Sequence, residues 1–158
     1  MSPIPVYRAC LVSQGDSLRL LQGDEERLQL SWSSIAAWLK DEPASEGQLE
    51  LAIAFIEDEL MPRLPPAAGG LLALPPDLWQ ALLAVSPVTT VPLSTEAVEG
   101  LFHRLAALAW GQPASQLGLP ADRQFASRLL LIRELLHHGG FDGLVPANGR
   151  AEILPVAG

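Results

Sequence analysis

The stretch Val6–Trp32, VYRACLVSQGDSLRLLQGDEERLQLSW, decides the fold. Three short runs, Val6–Val12, Ser17–Leu21 and Arg27–Trp32, alternate apolar and polar residues with the period of two that sets one strand face against a core. Between them stand Gln14-Gly15-Asp16 and Gln22-Gly23-Asp24, near-identical and eight residues apart. Glycine supplies the positive φ of a tight hairpin turn, and aspartate bonds its neighbouring backbone. In the third run Leu28, Leu30 and Trp32 share one face, with Arg27, Gln29 and Ser31 on the other. The pattern predicts an antiparallel three-stranded meander, which needs something to pack against.

Beyond Ser33 the apolar period lengthens toward that of a helix. A short segment capped by Ser33 or Ser34 runs to Lys40. Ser45 with Gln48 then forms a capping-box pattern, ahead of Leu49, Ala52, Ile53, Ile56 and Leu60 at helical spacing and Pro62 as the stop. Pro65–Pro76, with four prolines and two glycines, reads as a surface loop, and Pro76-Asp77 opens a short helix to about Ala84. Ser94 or Thr95 caps a long helix with the stripe Val98, Leu101, Phe102, Leu105 and Leu108, closed at Gly111. Pro120 opens a second long helix with the stripe Phe125, Leu129, Ile132 and Leu136, closed at Gly139-Gly140. The expected fold is therefore α+β: a small N-terminal antiparallel β-meander packed on a cluster of four to five helices. The meander takes residues 5–32, the helical part 33–140, and an irregular C-terminal segment 141–158 carries one short strand at Glu152–Leu154. All belong to one domain, the size that 158 residues suggest.

Composition bounds the function classes. Hydrophobic residues make up 49 % and charged residues 18 %, which is a globular composition. No apolar run approaches the roughly 20 residues that cross a bilayer. The start Met-Ser-Pro-Ile-Pro-Val has neither the basic nor the apolar region of a signal peptide. Cys10 is the single cysteine, so no internal disulfide forms, and the expected address is the cytoplasm. The net charge of −8 opposes binding to phosphate backbones, so nucleic acid is disfavoured as a partner. Only Lys40 among ten basic residues is lysine, a bias of GC-rich bacterial coding that carries no function.

Four sets of residues could carry chemistry or contact. Glu99 and His103 are four apart, and Glu134 and His137 three apart, the Glu-x-x-His spacing of di-iron carboxylate bundles. Glu57 or Glu59 could add a carboxylate, but the mismatched spacing leaves these four residues as metal candidates only. His137-His138-Gly139-Gly140 also reads as an ordinary helix C-terminus, and no metal or other cofactor is expected. A helix-turn-helix cadence over 111–138 places Arg123, Gln124 and Arg128 as nucleic-acid candidates, on a stretch of formal charge +1 between Gly111 and Gly140. Phosphate-loop, dinucleotide and nucleophile-elbow motifs are absent. Leu72, Leu74, Leu78, Trp79 and Leu82 crowd apolar groups into a short proline-flanked segment, which predicts an interface.

The favoured reading from sequence is a non-enzymatic binding or accessory protein acting through protein–protein contact, with a protein partner or as a homodimer. The alternative is a metal-dependent or small-molecule-binding enzyme using His103, His137 and His138 with nearby carboxylates. The third is a helix-turn-helix-like DNA-binding regulator.

Overall fold

The two glycine turns behave as their residues require. In the computed structural model, which describes residues 7–64 and 69–147, Gly15 and Gly23 take φ of 59° and 64°. They join β1 (Ala9–Gln14), β2 (Ser17–Gln22) and β3 (Glu25–Ser31) into an antiparallel meander. The expected start of the first strand at Val6 lies outside the described residues.

The sheet does not stop there. β1 also pairs in parallel with β4 (Leu71–Leu74), β4 pairs in parallel with β6 (Gly143–Pro146), and β5 (Leu93–Ser94) closes the edge antiparallel to β6. The result is a mixed six-stranded sheet in the order β3-β2-β1-β4-β6-β5. Three of its strands thus come from stretches assigned to helix, loop or irregular chain. The reason is physical: β4 and β6 are inner strands, buried on both faces, so they read as short continuous apolar runs without alternation. The strand expected at Glu152–Leu154 lies outside the described residues.

Six helices among the described residues complete the α+β fold. α1 (Trp32–Ala36) starts on Ser31, whose side chain accepts from the Ser34 amide. α2 (Glu46–Leu60) carries the complete Ser45/Gln48 capping box. α3 (Pro76–Leu83) follows β4 after a single residue, Pro75. α4 (Thr95–Ala109) is capped by Ser94, and α5 (Ala114–Leu117) is a single turn. α6 (Arg123–Gly139) begins on Asp122, whose carboxylate accepts from the Phe125 amide, and ends on Gly140 in the left-handed conformation. None of the helices among the described residues is long and apolar enough to cross a membrane.

Helix α6 is the axle of the core. It packs against α1, α2, α3 and α4, and its Phe125, Leu129, Ile132 and Leu136 are all buried, as their spacing predicts. The sheet offers this helical layer Ala9, Leu11, Leu18, Leu20, Leu28, Leu72, Leu74 and Leu144. Cys10, Ala73 and Val145, one residue out of phase, face the other side with Tyr7. Leu72, Leu74, Leu78, Trp79 and Leu82, expected at an interface with another chain, are at most 5 % exposed and belong to this core. The proline-flanked segment is short, yet β4 runs through the middle of the sheet and α3 lies on it, so the chain itself covers the leucines.

Candidate functional site

β1, β4 and β6 run parallel, so their carboxyl ends lie at one edge of the sheet. In open sheets of this kind ligands bind beyond those ends. A cleft of about 540 Å³ stands there, within the size range of small-molecule sites. Its lining comes from the end of β1 (Ser13), the β1–β2 turn (Gly15, Asp16), α1, and the N-terminal parts of α3 and α6. The helices supply Trp32, Ser33 and Ala36, then Asp77, then Arg123, Gln124, Ser127 and Arg128.

Local hydrogen bonds fix the turn side of the cleft. The Asp16 carboxylate accepts from the Ser33 amide at 2.9 Å and the Ser33 hydroxyl at 2.5 Å, while its carbonyl accepts from the Trp32 amide at 2.8 Å. The Trp32 indole donates to Ser13 Oγ at 2.9 Å. Asp16 is thereby committed to holding the β1–β2 turn on the start of α1. On the helix side, Ser127 Oγ donates to the Arg123 carbonyl at 2.7 Å. The Glu42 carboxylate accepts from the Arg123 amide at 2.9 Å and lies 3.6 Å from its guanidinium, which also donates to the Lys40 carbonyl at 3.2 Å.

Arg128, Asp77 and Gln124 are different. They line the cleft and make no hydrogen bond or ion pair among the described residues. The arginine, half-buried at the cleft wall, is a planar donor suited to carboxylate or phosphate oxygens. Backbone amides at the N-termini of α3 and α6 add partial positive charge on the same side. The cleft can hold an anionic small molecule, and Asp77 can orient a water or a cation beside it.

The residues proposed for DNA contact therefore line a cleft. α5 is one turn of four residues, so the segment lacks the first full helix of a helix-turn-helix. Gly118, with φ of 66°, makes the turn of an αα connection.

The histidines group elsewhere, toward the C-terminus of α6, and with partners other than those the spacing suggested. His103 on α4 is exposed, beside the Phe102 ring, and pairs with no carboxylate among the described residues. Glu99 instead meets His137 Nε2 at 2.6 Å and Arg133 Nε at 2.8 Å. Burial acts most strongly on Glu99 and raises its pKa, but the hydrogen bonds and charges of Arg133 and His137 together win and hold it below the usual range. Glu134 meets Arg133 at 3.0 Å, and its other oxygen lies 3.6 Å from His138 Nε2. His138 in turn lies 4.0 Å from Glu57 on α2. Burial first, and then the hydrogen bond with Glu57, push the Glu134 carboxyl up to about 7 against the pull of Arg133. The structure thus does not bring the four metal candidates to one point: it pairs Glu99 with His137, leaves His103 apart, and assembles Glu134 with Glu57 and His138, whose ligand atoms all lie within 4.8 Å of one another. The Glu-x-x-His spacing concealed this group, because the histidine that shares the face of Glu134 is four residues on.

No protein-family model matches the chain, and no curated protein matches it. Solved structures do. A Ppx/GppA enzyme of Aquifex aeolicus matches at a TM-score of 0.64 and 14 % identity, over 88 % of this chain and 52 % of its own. A second structure, of the Aquifex aeolicus member of the Ppx/GppA family, gives 0.63, 14 %, 88 % and 51 %. The type II variant of the Aquifex aeolicus Ppx/GppA phosphatase gives 0.66, 15 %, 90 % and 54 %. The likeness is one of fold, and the chain spans about half the length of the structures it matches. It nonetheless corrects the expectation of a non-enzymatic accessory protein acting through protein contact, since this is a fold that enzymes use. The apolar segment that carried that expectation is core.

Proposed function

We propose that this chain is a small-molecule-binding domain of an enzyme that acts on a phosphorylated substrate, with the cleft at the carboxyl ends of β1 and β4 as its substrate site. The observation that carries the reading is Arg128, a guanidinium without a partner among the described residues, on the wall of a 540 Å³ cleft. The helix N-termini beside it and the fold likeness to Ppx/GppA enzymes support the same reading. Phosphoryl chemistry is mostly positioning and neutralisation of charge. In this site Arg128 pairs with the phosphoryl oxygens, Arg123 adds a second positive charge from the first turn of α6, and Asp77 orients the attacking water. Asp16 keeps the β1–β2 turn in place through Ser33 and does not itself react.

The class agrees with the small-molecule enzyme that the sequence offered as its alternative, though the residues differ: no histidine among the described residues lines the cleft. The cytoplasm is retained as the proposed location, because Cys10 is buried and unpaired, its thiol pushed up to about 11 by burial. Calorimetric titration of the protein with pyrophosphate tests the proposal. Saturable binding that weakens at least about tenfold in Arg128→Ala is expected, the loss of a charge-assisted bidentate contact.

A further inference from the structure

A second cluster of titratable side chains lies on the same helix, away from the cleft. Glu134 stands six residues beyond Arg128, about 9 Å further along the α6 axis at 1.5 Å per residue. Glu134 and His138 are one turn apart on one face of α6, and α2 presents Glu57 opposite them. The Glu134 side chain is 3 % exposed, so its carboxylate points into this group and away from water.

Charge in this corner is out of balance. Glu99 and Glu134 share one obligate cation among the described residues, Arg133, and Glu57 stands beside Glu134 with no arginine or lysine of its own. That guanidinium is already divided between Glu99 at 2.8 Å and Glu134 at 3.0 Å, and it stacks over the Phe102 ring at 3.8 Å. Two carboxylates within 4.8 Å, one of them buried, call for a positive charge between them. His138 Nε2 faces both, at 3.6 Å and 4.0 Å.

We infer that Glu57, Glu134 and His138 bind a divalent transition-metal cation, with zinc the best match, as a cross-link between α2 and α6. One imidazole and two carboxylates form a borderline donor set that suits zinc. Magnesium and calcium call for six or more oxygens. At metal–ligand distances of about 2.0–2.2 Å, tetrahedral ligands stand roughly 3.3–3.5 Å apart. The separations, 3.6 Å and 4.0 Å from His138 and at most 4.8 Å within the group, close by side-chain rotations of Glu57 and His138, both partly exposed. Arg133 then holds the second oxygen of Glu134, the outer contact that orients a metal-bound carboxylate. Three protein ligands leave the fourth position to water.

Chelator-stripped protein titrated with zinc chloride in a calorimeter tests the site, with the melting temperature followed in parallel. One equivalent should bind with a dissociation constant on the order of a micromolar, and the melting temperature should rise. His138→Ala and Glu57→Gln should each weaken binding at least about tenfold. His137→Ala should leave it unchanged, because that histidine serves Glu99. Circular dichroism checks that each variant is folded. If His138→Ala fails that check, the half-exposed Glu57→Gln decides alone. The inference is overturned if no saturable zinc binding occurs below about 1 mM, the result of a proton shared by the two carboxyls and nothing more. Binding that survives both variants, or that is lost with His137, overturns it equally.

Discussion

Replacing Glu134 by glutamine, with chelator present, should make the protein more stable at neutral and alkaline pH. The carboxyl titrates near 4.5 in the unfolded chain and is pushed up to about 7 in the fold, by burial first and the Glu57 hydrogen bond second. The folded state therefore holds its proton more tightly than the unfolded state. Stability must then fall as pH rises between about 4.5 and 7, with the full contribution present only below 4.5. A separation of about 2.5 pH units at 1.36 kcal/mol each sets the penalty at no more than about 3 kcal/mol. Glutamine keeps the shape, an oxygen for Arg133 and a hydrogen-bond donor for Glu57, and never ionises. Urea unfolding of both proteins at pH 5, 6, 7 and 8 reads the difference directly, since every other titrating group cancels. The variant's advantage should be under about 1 kcal/mol at pH 5 and grow to about 1–3 kcal/mol at pH 8. A variant less stable at pH 8, or a difference independent of pH, would show an ionised Glu134 secured by Arg133 and refute the burial argument.

Two further outcomes follow from packing and capping. Trp79 is 5 % exposed inside the helical layer, so Trp79→Glu should leave an unfolded or aggregated chain, since truncating a buried tryptophan already costs about 3–5 kcal/mol. A folded monomer by circular dichroism and light scattering would instead place Trp79 on a surface. Asp16→Ala removes two hydrogen bonds to Ser33 and should lower stability by about 1 kcal/mol, with pyrophosphate affinity reduced as the β1–β2 turn loosens. An unchanged melting temperature would show that the turn holds without them.

Local rules read well from this sequence, and long-range ones did not. The paired Gly-Asp turns, the Ser45/Gln48 box and the stripes of α2, α4 and α6 follow from chemistry within a few residues, and each is present in the fold. Strands β4 and β6 are set by partners about seventy residues apart, Leu72 against Leu144, and four apolar residues carry no periodicity to reveal them. The same limit misplaced Leu78 and Trp79: a helix apolar on most sides looks like an interface until the sheet beneath it is known. Among the site residues, Arg123, Gln124 and Arg128 are legible as anion-contacting types on one helix, there as nucleic-acid candidates, and only the fold sets the β1–β2 turn and Asp77 opposite them. The acids and histidines of α2, α4 and α6 were visible too, but which partners they take depends on how the helices are rotated. Glu99 therefore found His137, and His138 lies between Glu57 and Glu134.

If the cleft at the β1–β2 turn takes a phosphorylated ligand, Arg128 is the residue that must hold it. Amide chemical-shift mapping during pyrophosphate titration at about 0.15 M salt tests it most directly. Saturable shifts are expected at Gly15, Asp77, Gln124 and Arg128, lost in Arg128→Ala while that variant keeps its fold. Shifts confined to other surfaces, or an undiminished response in Arg128→Ala, would contradict it.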